Sequence, residues 1–292
     1  MGTYAVSGAA SGIGAAVAAR LTGDGHRVIA VDLKEGDVRA DLSTEDGRQA
    51  AIAEVRHLAE GRLDGVVPCA GLGPVTGLDP AQLVSVNYFG AIALVEGLRP
   101  LLTDGGAVVV LSSNSVTAQP GWSGEVASAC LKGDEKAARA AAAESEPVHV
   151  YPATKAAVAY WARREAVKAE WGGAGIRVNA VAPGLIETPM SAAMKADPKL
   201  GVFVKAYPSA LGRGGRPEEI ADLIAFLLSP AASLLVGSVV YADGGTDALL
   251  NPVWPVGKDV SKIAVALMDK VSSGVAVAKS LGRRARSASG GS

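Results

Sequence analysis

Short apolar runs alternate with longer alanine-rich amphipathic runs along the first 250 positions of the chain. Six runs read as strands: TYAVSG (3–8), RVIAVDL (27–33), GVVPCAG (65–71), AVVVLSS (107–113), IRVNAVAPG (176–184) and SVVYADGG (238–245). They are apolar at successive positions rather than at every second one, so each strand needs cover on both faces. Between them, apolar residues return at three- and four-residue spacing near 12–23, 44–60, 80–102, 151–172 and 217–229, which predicts helices. Strands and helices alternating in this way predict an α/β fold over residues 1–250, a single doubly wound parallel sheet with helices on both faces.

Two regions break the alternation. Residues 114–150 exceed what a strand-to-helix connection needs, and the polar piece CLKGDEKAARAAAAESE within them predicts one helix. Residues 251–292 open with NPVWPVG, carry Ile263, Leu267, Val271 and Val275 at four-residue spacing among basic residues, and end in Ser and Gly. They are expected to form a C-terminal extension, helical in part and disordered at its end. Its apolar stripe would dock on its own body, on a partner subunit or on an anionic membrane surface.

Composition narrows the class. The 292 residues are 49% hydrophobic and 20% charged with 36 Gly, as in a globular body with many tight turns. The net charge of −1 gives no field that would attract nucleic acid. From Asn251 onward seven Lys/Arg face two Asp. The first strand pattern starts at Thr3, leaving no room for a signal peptide, and no run of about 20 uncharged apolar residues predicts a transmembrane helix. A cytoplasmic location is expected. Cys69 and Cys130 lack metal-ligand spacing and read as free thiols, and His26, His57 and His149 form no ligand pattern, so no metal is expected.

The chemistry starts at SGAASGIG, where Gly8, Gly12 and Gly14 stand between a predicted strand and a predicted helix. Glycines there let the chain turn sharply and let a diphosphate approach the amides of a helix N-terminus, the signature of a Rossmann dinucleotide site. The second strand ends at Asp32, a carboxylate placed to accept from both adenosine ribose hydroxyls and to repel a 2′-phosphate. Lys34 is the nearest base in the sequence, and no arginine follows at once, which favours NAD over NADP. Further on, YPATK sets Tyr151 and Lys155 four apart, on one face of a helix.

Taken in order, these motifs resemble the short-chain dehydrogenase/reductase family over residues 3–250, and CAGLGP with SVNYFGA is most similar to its bacterial 3α-hydroxysteroid dehydrogenase/carbonyl reductase group. The resemblance implies a catalytic set of Asn87, Ser113, Tyr151 and Lys155. Tyr151 would exchange a proton with the substrate oxygen, Lys155 would lower its pKa and hold ribose hydroxyls, Ser113 would orient the substrate oxygen, and Asn87 would hold a helix bend and a relay water. Ser112 and Ser115 are the rivals to Ser113. Coenzyme contacts are implied at Gly8, Ser11, Gly12, Ile13, Gly14, Asp32, Leu33, Asp41, Leu42, Ala70, Gly71, Tyr151, Lys155, Pro183, Gly184, Ile186 and Thr188. Thr188 also reads as the N-cap of the next helix. One departure stands out: Pro68-Cys69 occupies the place of two asparagines in the family pattern.

By the same resemblance, residues 188–212 form a lid over a small hydrophobic alcohol or ketone. Met190, Met194, Leu200, Val202, Phe203, Val204 and Tyr207, with Leu72, Val116 and Trp122, would line the pocket. The function so implied is an NAD(H)-dependent interconversion of a secondary alcohol and a ketone on a hydrophobic, steroid-like substrate. The alternatives are a smaller cyclic alcohol, polyol or acyl-derived substrate, or an NAD-binding sensor without turnover. A homo-oligomer is expected, and the insertion at 114–150 lies where members commonly assemble tetramers, which favours a dimer.

Overall fold

The computed structural model describes residues 1–119 and 121–252. The C-terminal extension, with its expected helix and disordered end, lies outside the described residues from position 253 on. In chain order the elements begin with β1 (Thr3–Ser7), α1 (Gly12–Gly23), β2 (Arg27–Asp32), β3 (Val38–Arg39), α2 (Glu45–Leu58) and β4 (Leu63–Pro68). There follow α3 (Pro80–Val84), a π-helical turn (Ser85–Gly90), α4 (Ala91–Leu98), β5 (Leu102–Leu111), α5 (Ser115–Ala118), α6 (Gly124–Leu131), α7 (Glu135–Ala143) and α8 (Pro147–Glu165). The chain continues through β6 (Arg177–Pro183), α9 (Pro189–Ala196), α10 (Gly201–Lys205), α11 (Pro217–Leu228), β7 (Val239–Ala242) and α12 (Thr246–Leu250).

All seven strands are parallel in one sheet of order β3-β2-β1-β4-β5-β6-β7. The continuous apolar runs split with the period of two that strand geometry demands. Val6, Val67, Val109 and Val181 join a core with Val17 and Leu21 of α1 and Ile220, Ile224 and Leu227 of α11. Their neighbours Ala5, Val66, Val108, Val110 and Val178 join the opposite core with Val55 of α2, Leu94 of α4 and Ala157 of α8. Both faces are therefore covered, which is why no polar position alternates along these strands.

Several expectations need correction. β3 escaped the sequence reading because two residues carry no periodicity. The insertion holds two helices, not one: Gly133 sits at φ +73°, a left-handed conformation that ends α6, and the Asp134 side chain accepts from the Ala137 amide to start α7. The helix carrying Tyr151 starts at Pro147, one turn before YPATK. The stretch Pro80–Leu101 is long and apolar enough to cross a membrane by length and composition alone, but it carries Glu96 and Arg99 and is mostly buried inside the molecule, as a core helix is.

Candidate active site

The strand order reverses between β1 and β4, so the crevice outside the carboxyl ends of these strands is where a ligand fits an open parallel sheet. The glycine loop leaves β1 there. Gly8 adopts φ +68°, and a Cβ on it would lie 2.7 Å from the Ala70 nitrogen; a Cβ on Gly14 would lie 2.2 Å from the Gly8 carbonyl oxygen. Only glycine fits at either position. Ser11, at the N-cap of α1, makes no side-chain cap and no acidic residue stands in the first turn, so the helix presents its amides and positive dipole end. The donor set and the cradle suit the diphosphate of a dinucleotide.

Asp32 ends β2 and braces this loop: its carboxylate accepts the Ala10 amide at 3.2 Å and the Lys34 amide at 3.1 Å. In the β2–β3 register Asp32 pairs with Arg39, an exposed base that the sequence reading passed over in favour of Lys34. Leu33 is exposed and Leu42 buried, while Asp41 caps the turn before α2 by accepting the Ser43 amide at 2.9 Å. Pro68 pairs with Ser7 in the sheet, and the buried Ser7 hydroxyl accepts the Ala70 amide at 3.2 Å. That contact fixes Ala70-Gly71 where the expected asparagines are missing. The signal for it in the sequence was one polar residue closing the apolar run TYAVS.

On the other side of the crevice, α8 carries Tyr151 and Lys155. Pro152 lies inside this helix and has no N–H to give to the Val148 carbonyl; the Gln119 side-chain amide donates to that carbonyl instead, at 2.6 Å. Lys155 is buried. Its Nζ donates to the Leu111 carbonyl at 3.0 Å and stands 5.9 Å from the centre of the Tyr151 ring. Burial lowers its pKa to about 8, with the nearby Cys69 opposing, and burial pushes the Cys69 thiol up to about 12. Burial also pushes the Tyr151 phenol above its ordinary value, while a side-chain hydrogen bond with Ser113 pulls it down and Tyr207 raises it. Desolvation thus sets the direction, and the lowering that acts against it comes from Ser113, not from Lys155 as expected.

Ser113 is the serine joined to Tyr151. Of its rivals, Ser112 donates to the Lys155 carbonyl at 2.9 Å, and the buried Ser115 hydroxyl has no partner among the described residues. Asn87 lies in the π-helical turn, where its Oδ1 accepts the Leu72 amide at 2.7 Å and its Nδ2 donates to the Leu72 carbonyl at 3.1 Å. A methyl on Gly71 would lie 3.3 Å from Asn87 Oδ1 and 3.7 Å from Lys155 Nζ, so Gly71, Asn87 and Lys155 share one corner. Pro183 ends β6, and a Cβ on Gly184 would meet the Asp243 backbone at 2.7 Å. Ile186 is buried, and Thr188 caps α9 in a capping box with Ser191, its methyl 3.3 Å from a Cβ built on Gly12. The segment that starts at Thr188 thus leaves from beside the glycine loop.

The pocket expectations divide. Val202 and Phe203 are 71% and 73% exposed and face solvent, because α10 buries only Gly201 and Val204. Trp122 donates to the Val116 carbonyl at 3.2 Å and lines a groove with Leu131 of α6 and Tyr160 of α8. Met190 and Met194 turn toward Gly73 in the loop after β4. Among the described residues no three His, Cys, Asp or Glu are grouped to hold a metal ion.

The family model described as enoyl-(acyl carrier protein) reductase matches residues 8–148 and 135–247. The 3-alpha-hydroxysteroid dehydrogenase/carbonyl reductase of Comamonas testosteroni is 40% identical over 257 residues, covering 86% of this chain and 99% of the relative. The chain belongs to the short-chain dehydrogenase/reductase family. A second member, the cis-4-hydroxycyclohexanecarboxylate dehydrogenase of Sinomonas cyclohexanicum, is 33% identical over 84% of this chain and 96% of its own. Among solved members of the short-chain dehydrogenase/reductase family, the 3-alpha-hydroxysteroid dehydrogenase from Pseudomonas sp. B-0831, complexed with NADH, superposes with a TM-score of 0.82 at 43% identity. That match covers 86% of this chain and 99% of the solved one.

Proposed function

We propose that the protein is an NAD(H)-dependent oxidoreductase that interconverts a secondary alcohol and a ketone on a hydrophobic, steroid-like substrate. The observation that carries this reading is the convergence of Ser113, Tyr151 and Lys155 with Asn87 and Gly71 at one corner of the crevice. The cradle of Gly8, Gly12, Gly14 and the first amides of α1 would hold the diphosphate, Asp32 the adenosine ribose, and Lys155 the ribose next to the nicotinamide. When bound, NAD(H) supplies or accepts the hydride. Ser113 holds the substrate oxygen by a hydrogen bond, Tyr151 gives that oxygen its proton in reduction and takes it back in oxidation, and the Lys155 ammonium favours the phenolate. Asn87, tied to Leu72, holds its corner of the site rigid.

The Comamonas and Pseudomonas relatives support the steroid class. The Sinomonas dehydrogenase supports a second reading, in which the substrate is a smaller cyclic alcohol. We further propose a cytoplasmic homodimer. NADH oxidation is followed against a panel of 3-ketosteroids and cyclohexanones, and repeated with NADPH because Arg39 flanks Asp32. Turnover with NADH is expected, with 3-ketosteroids preferred over cyclohexanones; Tyr151→Phe is expected to lower kcat at least about 10²-fold while NADH still binds. Full activity in that variant overturns the assignment of Tyr151, and turnover confined to cyclohexanones favours the second reading.

A further inference from the structure

Residues 188–212, the lid that the family resemblance implies, are tied to the body by a polar clasp at Asp197. Asp197, in the bend between α9 and α10, is 9% exposed and saturated with donors. One oxygen accepts the Thr76 amide at 2.6 Å; the other accepts the Thr76 hydroxyl at 2.9 Å and the amides of Lys199 and Leu200 at 2.9 and 3.0 Å. These donors hold its carboxyl down at about 2, so the clasp stays charged through the neutral range. Thr76 closes the loop that starts at Ala70-Gly71, and Leu72 of that loop is held through both its amide and its carbonyl by Asn87. Between the two anchors lies Gly73, where a Cβ would stand 2.7 Å from Met190 Cγ and 3.3 Å from its sulfur. The bare glycine is a notch in which Met190 sits.

We propose that Asp197 is a positioning residue for the substrate: by clasping Thr76 it seats Met190 in the Gly73 notch and so fixes the lid wall of the pocket. This rests on the proposed oxidoreductase reading, yet the clasp is testable without turnover. A loosened lid costs substrate affinity because binding must then order it, and a bulky substrate that needs the wall loses more than a small one. The chemical step, which depends on Ser113, Tyr151 and Lys155, is left intact.

The full-length Asp197→Asn, Thr76→Val and Gly73→Ala variants are compared with Thr76→Ser, which keeps the hydroxyl. KM for a bulky ketone is expected to rise about tenfold in the first three, kcat to stay within about twofold, NADH affinity to be unchanged, and Thr76→Ser to behave as the parent. In parallel, hydrogen exchange at the Lys199 and Leu200 amides is expected to accelerate in Asp197→Asn. Unchanged KM, or an equal loss on small and bulky ketones, overturns the proposal. If the parent turns over no ketone, the oxidoreductase reading falls and the clasp is judged on exchange alone: acceleration supports it, parental protection overturns it. Should Asp197→Asn fail to fold, Gly73→Ala decides, since its added methyl displaces Met190 without touching the clasp.

Discussion

At the residue scale, the buried ammonium of Lys155 is the costly element. Its ordinary pKa of 10.5 falls to about 8, so folding without coenzyme works against its charge. The sign follows from proton binding. Between pH 8 and 10.5 the unfolded chain holds the proton more firmly than the folded one, so this residue makes stability rise with pH across that window, and its penalty is fully present below it. Lys155→Met is therefore expected to raise the thermal midpoint of the coenzyme-free protein at pH 7 while removing activity. The penalty relieved is on the order of 3 kcal/mol, reduced by about 1 kcal/mol for the lost bond to Leu111. The advantage should vanish when unfolding is measured near pH 10.5. Equal midpoints at both pH values would contradict it. The Tyr151/Lys155 pair was legible in YPATK, whereas the balance of desolvation against charge was not, because it depends on what α8 packs against.

Among the elements, the glycine loop and its helix were the most legible, since positive φ and close backbone approach restrict the residue choice to glycine. Gly14→Ala would drive a methyl into the Gly8 carbonyl. A loss of about 1–3 kcal/mol by denaturant titration is expected, together with weaker NADH binding by fluorescence; parental values for both would show that the loop yields without cost. β3, the break at Gly133 and the start of α8 at Pro147 were missed for a shared reason. Each is set by a few residues of backbone geometry rather than by apolar period, and alanine-rich segments carry little period to read. The outward turn of Val202 and Phe203 belongs here too: the apolar residues of 188–212 were visible, but the short α10 buries only Gly201 and Val204, and which face of so short a helix packs is not written in its period.

For the whole molecule, the parallel sheet and its covered faces followed from six apolar runs, while the strand order and the packing of the insertion did not. Arg48, 3% exposed on α2, reaches Glu135 of α7 at 2.6 Å, and the Ser85 hydroxyl donates to Glu135 at 2.7 Å while accepting from Arg139 at 2.6 Å. The insertion is thereby bolted onto the body beside α3 and α8. With α6 and α7 standing there, the expected solution mass is that of a dimer; a tetramer by multi-angle light scattering would show that the insertion leaves the tetramer contact open.

Pro152 gives this packing a different meaning. A proline directly after Tyr151 leaves a carbonyl one turn back without its usual donor, and Gln119, from the insertion, fills that place. The added segment and α8 are therefore no longer separable parts. Grafting a shorter connection in its place would strand a peptide oxygen beneath the tyrosine unless a donor came with it, so this loop cannot drift in sequence as freely as its surface position suggests.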